Sequence, residues 1–90
     1  MNKLDEYRLE IDEIDEKIVK LFEKRMETVL KVANYKKENN MEILQVDREN
    51  IVLDKAINNL NNKEYSDDIK EVFKLIMKLS KNKQNEKLNL

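Results

Sequence analysis

Apolar residues at Leu4, Tyr7, Ile11, Ile14, Ile18, Leu21, Phe22, Val29, Val32 and Ala33 fall along one stripe of a 3.6-residue repeat, with charged residues between them. This predicts a single amphipathic helix over about 4–38. Glu13 and Lys17, Glu16 and Lys20, and Glu27 and Lys31 stand four apart with the acid first, the orientation that supports an exposed helix face. The pattern dissolves at Lys37-Glu38-Asn39-Asn40 and resumes near Asp47, the expected N-cap of a second helix over about 47–60. Val52, Leu53, Ala56, Ile57 and Leu60 form its apolar side, and Asn58 to Asn62 close it. Ser66 is the expected N-cap of a third helix, 66–84, with Asp67 and Asp68 facing the positive end of its dipole. Ile69, Val72, Phe73, Ile76 and Met77 supply the buried face, and 85–90 reads as a polar tail that frays. The expected architecture is all-α: three helices in one domain, 1–90.

Helix lengths add a constraint. At 1.5 Å per residue the first helix extends about 45 Å, against about 21 and 27 Å for the others. Two short helices leave much of the long stripe uncovered. A second copy of the chain is the simplest cover, which predicts a homodimer.

Composition narrows the chemistry. The 90 residues include no Gly, Pro, Cys, His or Trp. That excludes a thiolate nucleophile, a Ser-His-Asp triad, His or Cys metal ligands and glycine-dependent phosphate loops. Asn must then serve at the turns, since it tolerates the left-handed conformation. The net charge of −1 gives no support for binding nucleic acid or an anionic membrane surface. No apolar run exceeds three residues and the acidic start is no signal peptide, so the expected setting is cytoplasmic.

Candidate chemistry lies where polar residues occupy the apolar line. Arg25 stands between Phe22 and Val29 on the face that should be buried. Lys36 is eleven residues further, about 20° of rotation and about 16 Å of rise, so both cations project from one face toward a possible common anion. Ser80 and Gln84 continue the line of Phe73 and Ile76 in polar form, and Arg48 and Glu49 occupy the first turn of the second helix. Glu49 suits that position; Arg48 opposes the dipole there and needs another reason. Arg8 lies about 25 Å from Arg25 along the same helix, too far to share a small ligand. Antiparallel packing of two first helices near residue 19 brings Arg8 of one chain opposite the Arg25–Lys36 interval of the other.

Arg8-x-x-Ile11-x-x-x-Asp15-Glu16-Lys17-Ile18, Arg25, Lys36, Asp47-Arg48-Glu49 and Ser80-x-x-x-Gln84 together resemble the all-helical chorismate mutase family, from Leu4 to Gln84. The resemblance implies an intertwined homodimer of three-helix protomers, each site borrowing Arg8 from the partner. It also implies rearrangement of chorismate to prephenate, on the way to Phe and Tyr, without metal or cofactor. By the same resemblance Arg25 and the partner-borne Arg8 hold carboxylates, Lys36 and Gln84 donate to the ether oxygen, and Glu49 accepts from the ring hydroxyl. Ser80 lies near a carboxylate and Arg48 is a supporting cation. Gln45 stands where an Asp is common in the loop before the second helix. Single-domain length leads to the expectation of a monofunctional enzyme with no fused regulatory domain. Two other readings fit the composition: isochorismate pyruvate lyase, which resembles the mutase in fold, and a non-catalytic helical dimerisation module.

Overall fold

A computed structural model describes residues 2–42 and 46–88. The first helix, α1, is Lys3–Glu38; α2 is Val46–Asn58; a single 3₁₀ turn, Lys63–Tyr65, leads into α3, Ser66–Leu88. No strand occurs among the described residues, so the all-α expectation holds. Asn2 caps α1 by accepting the Asp5 N–H at 2.9 Å. The chain leaves α1 through Asn40 at φ 55°, the left-handed turn for which Asn substitutes in a chain without glycine. The ion pair between Lys20 and Glu16 forms at 2.8 Å.

The helix ends depart from the sequence expectation at three points. Asp47 lies inside α2, one residue after its start, rather than at its cap. Ser66 has helical dihedrals and its hydroxyl donates to the Lys63 carbonyl, so it does not cap α3. Asn62 caps the 3₁₀ turn ahead of it, accepting from the Glu64 N–H at 3.0 Å. The end of α2 is closed by the Lys63 ammonium, which donates to the carbonyls of Ile57 and Leu60 at 2.7 and 2.8 Å, a cation on the negative end of the dipole. Finally, α3 runs on to Leu88 instead of fraying at 85. Its last turns lie against the end of α1, where Lys37 Nζ reaches the Leu88 carbonyl at 3.5 Å.

α3 is the middle element, packed on α1 along one side and on α2 along the other. Only the C-terminal part of α1 takes part: every residue from 2 to 24 is exposed, and burial begins at Arg25. The core is therefore small. Among the described residues Ala33 and Ala56 are the buried apolar ones, and no large side chain is fully enclosed. The N-terminal arm carries Leu4, Tyr7, Ile11, Ile14, Ile18 and Leu21 in water. The radius of gyration is 16.5 Å, where a compact chain of this length has about 12 Å. The accessible surface is 7565 Å², against about 5,600 Å² for a compact monomer of this mass. An isolated protomer thus leaves the apolar stripe of α1 without cover.

Candidate active site

The site begins where α1 first meets α3. Arg25 is the first partly buried residue of α1, and its Nη1 donates to Ser80 Oγ on α3 at 3.0 Å. The hydroxyl has one proton of its own. The Ile76 carbonyl at 2.7 Å takes it in preference to Met26 Sδ at 3.4 Å. Ser80 is therefore a fixed acceptor for the guanidinium. The Phe73 ring, 6.0 Å from Arg25 Cζ, supports the same group from its π face.

One turn further along α3, Gln84 Nε2 donates to the Val29 carbonyl at 3.1 Å. Among the described residues Ser80 and Gln84 are the buried polar ones, 6% and 9% exposed. A Ser and a Gln enclosed at a helix interface each need partners, and here each has one on α1, Arg25 for Ser80 and the Val29 carbonyl for Gln84. The bond to Val29 orients the amide of Gln84 and leaves its second N–H for the cavity wall.

An open cavity of about 200 Å³ lies between the three helices. Arg25, Val32 and Lys36 of α1, Arg48 and Glu49 of α2, and Ser80, Lys81 and Gln84 of α3 line it, with Val29, Val52 and Met77 as its apolar wall. Four cations thus face one carboxylate in a space fit for one small molecule. Burial lowers the pKa of Arg25 from its ordinary value, and the positive charge of Arg48 lowers it further. Both causes oppose a charged Arg25, and an anion bound beside it offsets both. Guanidinium groups suit bidentate binding of carboxylates, and the amide and ammonium suit donation to a neutral or developing oxygen. The arrangement is chemically suited to a small organic anion that carries carboxylates.

The sequence pattern of chorismate mutase type II matches residues 7–85. The chain belongs to this family. It is 39% identical over 93 aligned residues to the bifunctional chorismate mutase/prephenate dehydratase of Buchnera aphidicola subsp. Schizaphis graminum, an alignment covering 98% of this chain and 23% of that protein. The protein of the same description from Buchnera aphidicola subsp. Acyrthosiphon pisum is 42% identical over 82 residues, covering 88% and 21%. The chain spans less than a quarter of the length of these curated relatives. No solved structure matches it.

Of the residues selected from the sequence, Arg25, Lys36, Arg48, Glu49, Ser80 and Gln84 meet in this cavity of the chorismate mutase type II chain. Arg8 does not: it lies on the exposed arm of α1, about 25 Å along the helix from Arg25. Gln45 lies outside the described residues. Sequence reasoning missed Lys81. In a run of lysines next to Ser80 it reads as a solvated face, yet it follows Met77 by four and precedes Gln84 by three, a spacing that turns it toward the same wall. Among the described residues no helix is long and apolar enough to cross a membrane.

Proposed function

We propose that this chain is a chorismate mutase, converting chorismate to prephenate by an intramolecular Claisen rearrangement, and that it works as a cytoplasmic homodimer. The observation that carries the reading is the convergence of Arg25, Lys36, Arg48 and Gln84 on one small cavity, in a chain of the chorismate mutase type II family. The reaction breaks one C–O bond and forms one C–C bond within a single dianionic molecule. It asks for no general base, nucleophile or redox partner, which suits a cavity with no histidine or cysteine.

Two effects lower the barrier. Cations on the substrate's two carboxylates hold the flexible enolpyruvyl arm over the ring in its reactive chair-like conformer. Arg25 takes one carboxylate with Ser80 fixing its guanidinium, Arg48 adds positive charge to the wall, and Arg8 reaches in from the partner's arm. Lys36 and Gln84 donate to the ether oxygen, where negative charge grows as the C–O bond lengthens. Each 1.4 kcal/mol gained there is about tenfold in rate. Glu49 accepts from the ring hydroxyl, and Gln45 is a further substrate-binding residue.

The exposed stripe of α1 supports the dimer. Covering it with the partner's α1 in antiparallel register puts Arg8 opposite the cavity. The test is to supply chorismate and isochorismate separately and to follow prephenate and pyruvate. Prephenate from chorismate without pyruvate is expected. Pyruvate from isochorismate as the main product makes the chain a lyase, and no conversion of either leaves a helical dimerisation module.

A further inference from the structure

A second cavity adjoins the first between α2 and α3, and the two share Glu49, Met77 and Lys81 as a common wall. Its α3 side is basic: Lys74, Lys78 and Lys81 line it at spacings of four and three, one ridge about 10 Å long. Like charges at these spacings repel and weaken a helix. Among the described residues none of the three forms an ion pair or a hydrogen bond that would offset this. The chain as a whole carries a net charge of −1, so the ridge is a local feature and not a reflection of a basic protein. It leads from solvent to Lys81, and Lys81 looks into the cavity that holds Arg25 and Gln84.

We propose that this second cavity is the approach to the site, and that Lys81 is a further substrate-binding residue that draws a carboxylate of the dianion off the Lys74–Lys78 ridge and into the Arg25–Lys36–Arg48 pocket. The proposal rests on the mutase reading above. A positive row beside a cleft with low-dielectric walls raises the local concentration of an anion and its rate of capture, an effect that salt suppresses. Lys81 acts before the bond-breaking step, on ground state and transition state alike, so its contribution falls on KM and not on kcat.

The experiment measures kcat and KM for chorismate with the wild type, Lys81→Gln, Lys81→Arg and the double variant Lys74→Gln/Lys78→Gln, at low and high ionic strength. These side chains are exposed, and circular dichroism verifies the fold of each variant. Lys81→Gln is expected to raise KM about fivefold with kcat within about twofold of wild type, and Lys81→Arg to restore KM. The double variant is expected to lose most of the fall in kcat/KM that salt produces in the wild type. A Lys81→Gln enzyme with unchanged KM and unchanged salt dependence overturns the approach, as does a loss confined to kcat. A wild type that leaves chorismate unchanged overturns the mutase reading itself, and the approach with it.

Discussion

Ile18→Glu is expected to separate the protomers and abolish turnover in one step. Ile18 sits near the middle of the exposed arm of α1 and is 58% exposed in the protomer. Enclosing an isoleucine fully stabilises by about 1.5–3 kcal/mol, so covering the part now in water is worth about 1–1.5 kcal/mol per copy, or about 2–3 kcal/mol across a two-fold interface. The substitution removes that term and brings two unpaired carboxylates together in an apolar seam, which costs several kcal/mol more. A total of about 6 kcal/mol raises the dimer Kd by about 10⁴. The wild-type interface can be large: two separate chains expose far more surface than one compact body of twice the mass, a difference of about 5,900 Å² by surface scaling, in the range of obligate dimers. Sedimentation equilibrium reads the association, and initial rates across a dilution series read the activity. A monomeric variant without turnover is expected, because Arg8 then reaches no neighbouring cavity. A variant that stays dimeric and active, or a wild type that is monomeric and fully active, refutes the reasoning.

Other consequences follow from the same geometry. Mixing an Arg8→Ala chain with an Arg25→Ala chain, each inactive alone, should restore one working site per heterodimer, and refolded mixtures that stay dead place Arg8 outside the site. Ser80→Ala removes the acceptor that fixes Arg25 and should lower kcat/KM about tenfold while destabilising by about 1–3 kcal/mol, read by kinetics and thermal unfolding. Arg48→Gln removes the second cause of Arg25's depressed pKa. With Arg48 exposed and Arg25 only partly buried, their repulsion is worth about 0.5 kcal/mol after screening by solvent, so Tm should rise by about 2–4 °C at fixed concentration while KM for chorismate increases. For Arg25 itself the folded pKa lies below the unfolded one, so its charge opposes folding at every pH below the folded value and the penalty is lifted only as pH rises through it. A guanidinium stays protonated across the working range, and the Gln84 amide donates at any pH. Initial rates should therefore be flat between about pH 6 and 9, and a steep loss toward acid points to a titrating donor in the site.

Periodicity was a sufficient guide to α1, because its apolar stripe runs from Leu4 to Ala33 with no helix breaker, and Asn40 supplies the left-handed turn that ends it. It failed at Lys63–Tyr65, where three polar or amphipathic residues carry no repeat and the 3₁₀ turn is set by Asn62 and by the reach of Lys63 to two carbonyls. It also ended α3 too early. The letters after Gln84 are polar, but the Gln84 bond to Val29 and the Lys37 contact with Leu88 are tertiary and invisible in spacing. Within the site, Arg25, Ser80 and Gln84 stood out because polar groups on an apolar line are anomalous. Lys81 did not, since a lysine in a lysine-rich run looks solvated until a second helix closes a wall across from it.

The most direct test of the mutase reading is whether purified protein consumes chorismate. Loss of chorismate absorbance at a rate proportional to dimer concentration, with a Lys36→Ala chain that folds and dimerises yet is slower by at least about 10², is the predicted result. A wild type that leaves the absorbance unchanged, or a Lys36→Ala chain as fast as the wild type, contradicts it.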